Sequence, residues 1–187
     1  PSSDNELVSR ARQQAQLEEK QRKIVTEQVK TIGNIAYVMD IPGSIGTAAL
    51  YARVTEKALI GVAGATKQEI VDLSLRSKNQ NIDLNILLRS ECRKFGGVGG
   101  GHPQAAGARI PVDQFIGFSK SLDLKVNTIE KINQELKDHE VMVKERDLRI
   151  EQLMDELNQV SLGSEDMEQK LEEKERALAD QAVELAI

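Results

Sequence analysis

The sequence of 187 residues contains no tryptophan, and aromatic residues make up only 3% of it. Hydrophobic residues still account for 40%, which is enough for a core built from aliphatic and small side chains. Aromatic side chains are the usual platforms on which proteins stack the bases of single-stranded nucleic acid. The composition therefore gives no support to recognition by base stacking.

Cysteine is as scarce as the aromatic residues. Cys92 is the single cysteine, so no internal disulfide can form. Together with the lack of a recognisable signal peptide, this predicts a reducing cytoplasm. No apolar run approaches the roughly eighteen residues of a membrane-spanning helix, so we expect no membrane partner. The chain begins at Pro1 without a methionine, and we interpret it as a processed chain or a piece of a longer one.

Charge is spread unevenly along the chain. Residues 1–30 hold six Lys or Arg against five Asp or Glu, residues 31–125 hold eleven against eight, and residues 126–187 hold eight against seventeen. The net charge of −5 is therefore the sum of a positive central segment, residues 31–125, and a strongly acidic tail, residues 126–187. We expect the central segment to be able to bind a polyanion and the tail to repel one.

Glycine is concentrated in residues 95–111, which read FGGVGGGHPQAAGARIP and hold five glycines between Gly96 and Gly101. Because glycine disfavours helices and strands, this stretch is predicted to be a loop. Successive amides in such a loop can form a concave phosphate-binding nest, and His102 adds a donor at its rim. A structural turn without a ligand is the alternative. The spacing does not fit the dinucleotide fingerprint G-x-G-x-x-G.

The rest of residues 1–125 alternates between predicted helices and strands. A capping-box spacing from Ser3 to Glu6 predicts a linker helix that runs to about Lys30. Strands are predicted at Ile35–Asp40, Ala58–Ala63, Glu69–Ser77 and Ala105–Ile110, and helices at Gly46–Glu56, Ile86–Phe95 and Val112–Leu122, with a turn at Gly64–Lys67. Ile86, Leu87, Cys92, Phe115, Ile116 and Phe118 are expected to face inward. The fold class is α/β, a small mixed-sheet domain with flanking helices.

Along the strand predicted at Glu69–Ser77, apolar and polar side chains alternate and so lie on opposite faces of the sheet. Val71, Leu73 and Leu75 point one way, while Asp72, Ser74 and Arg76 point the other. A guanidinium at the end of a polar sheet face presents a rigid fork of donors that matches a phosphate. The alternative is a solvated Arg76 or a simple pair with Asp72.

Two segments resemble the DHH-associated domain, the C-terminal substrate-binding half of DHH-family phosphoesterases. Residues 99–108 (GGGHPQAAGA) are similar to its GGGHxxAAGA signature, and residues 74–77 (SLRS) to its S-x-R-S strand motif. The family includes RecJ-type exonucleases, nano-RNA hydrolases and cyclic-dinucleotide phosphodiesterases. The resemblance covers about residues 32–125. It implies that a phosphate or terminal nucleotide is held by Arg76, Ser77, Gly99, Gly100, Gly101 and His102.

The same resemblance implies catalysis by a pair of Mn²⁺ ions on an N-terminal half that contains an Asp-His-His motif. That sequence does not occur here, and the two histidines, His102 and His139, lie far apart in the sequence. We therefore expect this chain to bind no metal and to supply no catalytic residue. Its partners would be the DHH catalytic domain and a single-stranded nucleic acid or oligonucleotide. An independent hydrolase with His102 as general base is a weaker alternative.

The tail follows a seven-residue repeat from Ile129. Apolar residues occupy eight of nine a positions, namely Ile129, Leu136, Val143, Ile150, Leu157, Leu171, Leu178 and Leu185 but not Ser164. Only four of the eight d positions are apolar (Ile132, Leu153, Val160, Met167), and the other four are polar (His139, Arg146, Lys174, Gln181). This pattern predicts a weak or selective coiled coil and a homodimer. We expect the helix to continue through Gly163 and Ser164, with a hairpin there as the alternative.

These observations predict a linker helix over residues 1–31, a DHH-associated domain over 32–125 and a coiled coil over 126–187. The predicted function is the substrate-holding part of a DHH-family phosphodiesterase or single-strand exonuclease. The alternative is a non-catalytic coiled-coil scaffold that binds a nucleotide or nucleic acid. Alanyl-tRNA synthetases show a related arrangement of coiled coil and DHH-associated domain.

Overall fold

A computed structural model describes residues 2–184, with side chains over residues 6–176. Its helices are α1 (Ser2–Gln28), α2 (Ile45–Thr55), α3 (Leu84–Lys94) and α4 (Phe115–Glu184), with a single 3₁₀ turn at Val112–Gln114. Its strands are β1 (Lys30–Ile32), β2 (Ile35–Met39), β3 (Ile60–Lys67), β4 (Ile70–Ser77), β5 (Val98–His102) and β6 (Ala105–Pro111). The predicted fold class, a small mixed-sheet α/β domain followed by a long helix, is confirmed.

The six strands form one sheet in the order β1-β2-β3-β4-β6-β5. β2 and β3 are parallel, and every other neighbouring pair is antiparallel. A parallel pair needs a crossover connection, and α2 supplies it between β2 and β3. Ser44 caps α2 by accepting a hydrogen bond from the backbone N–H of Thr47 at 3.3 Å.

The two faces of the sheet are covered unequally. One face packs under α3 and the start of α4, and its core includes Leu73, Leu75, Leu88, Phe118 and Leu122. The other face packs under α1 and α2 over β2 and β3, in a smaller core built mainly from alanine and valine. Over β6 and β5 this second face is open to solvent: the exposed fractions of Val98 and the Arg109 side chain are 67% and 62%.

The glycine-rich stretch is not a loop, as the sequence predicted, but includes the edge strand β5. Its glycines allow close packing. A Cβ at Gly99 would lie 2.6 Å from the Cys92 sulfur on α3, and one at Gly101 would lie 2.8 Å from the Cα of Ala106 on β6. A strand with larger residues could not fit between α3 and β6 at this separation, so the glycine density serves packing.

Other local predictions were also wrong. Residues 64–67 belong to β3, and the turn falls at Gln68 and Glu69, where Gln68 has a φ of 56°. The strand β1 was not predicted. Ile86 and Ile116 are 65% and 45% exposed instead of facing inward.

The remaining inward-facing residues agree with the predictions. Val71, Leu73 and Leu75 are buried, as are Leu87, Cys92, Phe115 and Phe118. The helix that was predicted to end at Leu122 continues without a break as α4, so Val126 is also buried against the domain.

The helix α4 runs through Gly163, as predicted, without a hairpin. The chain divides into two compact units after Asn133, and every described side chain from Gln134 to Arg176 is exposed.

Some predicted residues lie outside the described side chains, namely the heptad residues Leu178, Gln181 and Leu185 and the proposed cap at Ser3. In the part of the chain that is described, no helix has the length and apolar character needed to cross a membrane.

The β1–β2 turn is held to α4 by a cluster of polar groups. The Asn34 backbone N–H donates to Asp123 Oδ1 at 2.7 Å, and Asn34 Nδ2 donates to Asn127 Oδ1 at 2.6 Å. Gly33 has a φ of 55°, and a Cβ there would overlap the Asp123 carboxylate. Only glycine therefore fits the turn at this distance from α4.

We predict that Gly33→Ala destabilises the domain by about 1 to 3 kcal/mol, because it adds backbone strain and displaces the Asp123 carboxylate. Urea unfolding followed by tyrosine fluorescence measures this, since Tyr37 and Tyr51 both lie in the domain. The control is Gly163→Ala, whose Cβ would meet nothing within 4 Å. Equal stability of the two variants would contradict the described turn.

Candidate functional site

The strand β4 places a row of polar side chains on the second face of the sheet, with Asp72, Ser74 and Arg76 at alternate positions. Arg76 is half-buried, and its Nη1 donates to Ser74 Oγ at 3.0 Å and to the Leu75 carbonyl at 2.9 Å. Both partners are neutral. No carboxylate among the described residues forms an ion pair with Arg76, so its positive charge is not compensated locally.

The Arg76 guanidinium lies beside the first turn of α2. A Cβ at Gly46 would be 2.6 Å from Arg76 Nη2. The N-terminal end of a helix carries a partial positive charge, so a cation placed there is disfavoured unless an anion accompanies it. The location of Arg76 thus favours an anion near its Nη2.

Strand pairing brings His102 into the same row as Arg76. Ala105 on β6 is the partner of Arg76 on one side and of His102 on the other. Residues that are directly opposite in an antiparallel pair point to the same face, so all three side chains lie on the second face. Two strand spacings separate the Cα atoms of Arg76 and His102 by about 10 Å. His102 is exposed.

Next to this row lies a shallow depression of about 460 Å³ whose lining includes Asp72, Val98, Gly107 and Arg109. Asp72 forms ion pairs with Arg109 Nε at 2.6 Å and with Lys67 Nζ at 2.9 Å. Hydrogen bonds from Arg109, and then from Lys67, lower the pKa of Asp72 from 3.8 to about 2. Asp72 is therefore charged at neutral pH and shared by two cations, while Arg76 keeps its charge for another partner.

The glycine amides do not form the nest that the sequence suggested. A nest needs successive residues in alternating helical and left-handed conformations, whereas residues 98–102 are extended and paired with β6. The Gly101 N–H donates to Asn85 Oδ1 at 3.1 Å, and Arg89 Nε donates to the same oxygen at 3.0 Å. Asn85 on α3 thus holds the edge strand, and this amide is already engaged.

Ser77 is not brought to the second face. It is buried on the opposite face of the sheet, where its Oγ accepts a hydrogen bond from the Asn79 N–H at 3.1 Å. Its backbone N–H donates to the Gln104 carbonyl at 3.0 Å. Ser77 therefore supports the β5–β6 turn beside His102.

Two contacts at the site were not predicted from the sequence: the ion pair of Arg109 with Asp72 and the hydrogen bond from the Gly101 N–H to Asn85. Arg109 follows Ala105 and Gly107 at alternate positions, so strand periodicity could have placed it on the face of Arg76. Asn85 comes two residues after Asp83, the N-cap of α3, and no motif or periodicity in the sequence indicates its contact with Gly101.

The described residues do not fit a metal centre. No three His, Cys, Asp or Glu side chains within the described ranges come together as potential ligands. His139 is exposed in α4, remote in sequence from His102. Burial raises the pKa of Cys92 to about 11, so its thiol is not a ready nucleophile or metal ligand at neutral pH.

The model of the DHHA1 domain family matches residues 34–128. No curated protein matches the sequence. Similar solved structures include PggH, a pGpG-specific phosphodiesterase from Vibrio cholerae, at 17% identity and a TM-score of 0.45, with 66% of this chain and 42% of that chain covered. The C-Ala domain of Aquifex aeolicus alanyl-tRNA synthetase is 18% identical with a TM-score of 0.42, covering 51% of this chain and 95% of that one.

RecJ from Thermus thermophilus is 25% identical with a TM-score of 0.46, covering 63% of this chain and 18% of that chain. The chain thus spans less than half the length of PggH and of RecJ.

We predict that Arg109→Ala raises the pKa of Asp72 toward 3.8 and that Lys67→Ala raises it by less, because Arg109 makes the stronger hydrogen bond. NMR titration of the Asp72 carboxyl group measures both. Since its folded pKa is lowered, Asp72 stabilises the fold above pH 3.8, and this contribution is lost as the pH falls toward 2. An Asp72 pKa unchanged by Arg109→Ala would contradict the described pair.

Proposed function

Because this chain belongs to the DHHA1 domain family, we propose that its sheet domain holds the substrate of a DHH-family phosphodiesterase or single-strand exonuclease. The substrate is a single-stranded nucleic acid or a short oligonucleotide. Cleavage belongs to a metal-binding DHH catalytic half outside residues 1–187, and the implied Mn²⁺ ions belong to that half. This chain supplies positioning, which contributes to phosphoryl transfer by holding the scissile group in line.

One observation carries the proposal: Arg76, half-buried at the edge of α2, and the exposed His102 lie on the same sheet face, in one row, with only Ala105 between them. The spacing of about 10 Å allows the two side chains to contact different groups of one extended ligand. The neighbouring Gly107 has no side chain, so a sugar-phosphate chain can approach the sheet closely there.

Each residue has a distinct part in this arrangement. Arg76 offers a planar fork to two oxygens of one phosphate, and Ser74 fixes the orientation of the guanidinium through Nη1. His102 donates a hydrogen bond to a neighbouring phosphate or a terminal hydroxyl. The backbone of Gly99, Gly100 and Gly101 serves as the edge of the binding surface.

Charge supports the same assignment. Residues 31–125 carry a net charge of +3, whereas residues 126–187 carry −9. A polyanion is attracted to the domain and repelled by the tail. The ligand is therefore expected to bind the sheet face without contacting residues 134–176.

A second candidate is a non-catalytic scaffold that binds a nucleotide or nucleic acid and dimerises through its tail. The fully exposed residues 134–176 of α4 favour this second candidate, because their heptad pattern fits a coiled-coil homodimer. The coding sequence upstream of residue 1 distinguishes the two. An Asp-His-His motif in that sequence supports the phosphoesterase, and its absence supports the scaffold.

We predict that a 5′-labelled single-stranded oligonucleotide binds the full chain without metal and that Arg76→Ala weakens this binding about tenfold or more. The reason is the loss of a charge-assisted, forked hydrogen bond. His102→Ala weakens it less, and Arg76→Lys falls between Arg76→Ala and the wild type because it keeps the charge but not the fork. Fluorescence anisotropy at fixed ionic strength measures all four proteins.

The matched control is Arg93→Ala, which removes one positive charge from α3 without touching the row. An equal loss of affinity in Arg93→Ala and Arg76→Ala would show that the oligonucleotide binds by nonspecific charge attraction. Binding that survives the double substitution of Arg76 and His102 would place the ligand elsewhere.

A further inference from the structure

The tail helix carries more apolar surface than a solvated helix requires. Between Gln134 and Arg176 every described side chain is exposed, including thirteen large hydrophobic residues that are 47% to 71% exposed. Long helices in proteins are stabilised mainly by packing an apolar stripe against a partner. The heptad a and d positions form such a stripe, so a helical partner fits it.

The stripe has an aliphatic centre with polar residues on both sides. Ile150, Leu153, Leu157 and Val160 are four consecutive core positions in the repeat. Before them come His139 and Arg146 at d, and after them come Ser164 at a and Lys174 at d. The order of these polar residues decides how two copies can pair.

A parallel, in-register pair sets every core residue against its own copy. Arg146 then faces Arg146, and Lys174 faces Lys174, which creates two like-charged layers inside the core. His139 and Ser164 add two further polar layers. Like charges placed directly opposite are destabilising, so the Arg146 and Lys174 layers disfavour the parallel arrangement.

An antiparallel pair sets a positions against d positions and removes these clashes. When the two-fold axis passes through Asp155, Ile150 faces Val160 and Leu153 faces Leu157, so the aliphatic centre pairs with itself. In this register Arg146 faces Ser164, a small hydroxyl residue that leaves room for the guanidinium. Lys174 faces Leu136, and no layer contains two like charges.

We propose that two copies of the tail form an antiparallel coiled coil centred on Asp155. The proposal rests on the tail homodimer of the second candidate function and adds its orientation and register. Acidic residues at the e positions, namely Glu140, Asp147, Glu168 and Glu175, repel one another along one side of this pair. Salt screens such exposed charges, so the dimer tightens as the ionic strength rises.

Disulfide trapping in the full chain tests the register. The native Cys92 is buried with a raised pKa, so it does not compete. Leu153→Cys and Leu157→Cys chains, each with a different tag, are mixed and oxidised. In the proposed register these positions face each other, whereas two copies of Leu157 are about 9 Å apart, beyond the Cα separation that a disulfide spans.

The expected result is a covalent heterodimer in at least tenfold excess over either homodimer. Leu148→Cys, at an f position outside the core, is the control and should not cross-link. Abundant disulfide-linked homodimers of Leu157→Cys would show a parallel pair and overturn the orientation alone. A monomeric mass in sedimentation equilibrium at high salt would overturn the homodimer itself. Oligonucleotide binding by the domain is measured separately, so failure of the dimer and failure of the proposed substrate binding are distinguishable.

Discussion

A shift of one residue in the pairing of β4 with β6 would move Arg76 from the second face of the sheet, which it shares with Ala105, to the face buried under α3 and α4. The register is held because the same shift would expose Val71, Leu73 and Leu75, which are buried. Two-residue turns at Gln68–Glu69 and at Pro103–Gln104 restrict the neighbouring pairs in the same way. The position of Arg76 relative to His102 is therefore a consequence of core burial.

On the opposite face of the sheet from Arg76 and His102, the helices α3 and α4 are joined by a buried carboxylate. Glu91 on α3 is fully buried, and it accepts hydrogen bonds from Lys94 at 2.6 Å and from Ser121 on α4 at 2.8 Å. Burial alone would raise the pKa of Glu91, but these two hydrogen bonds, together with the positive charges of Lys94 and Lys125, outweigh burial and lower it. Glu91 therefore stays charged and ties α3 to α4, while the glycines of β5 let α3 pack closely against the edge strand.

The distribution of charge separates two physical roles along the chain. In the domain, Asp72 neutralises much of the charge of Arg109 and Lys67, so Arg76 is left to attract an anion. In the tail, acidic residues outnumber basic ones by nine, which disfavours nucleic acid but permits association through apolar core positions. The substrate binding proposed for the domain and the helix association proposed for the tail are compatible because the two regions carry net charges of opposite sign.

Local patterns in the sequence determined the fold class, the helices and most strands, the two faces of β4 and the DHH-associated domain, because periodicity and short motifs depend on neighbouring residues alone. The glycine stretch shows the limit of this reasoning: its composition is compatible with a loop, and only the packing of Gly99 against Cys92 and of Gly101 against Ala106 makes it a strand. Likewise, the resemblance of residues 74–77 to a family motif grouped Ser77 with Arg76, yet alternation along β4 places the Ser77 side chain on the buried face. The row of Arg76, Ala105 and His102 was decided by the tertiary structure, because pairing between strands joins residues that the sequence separates.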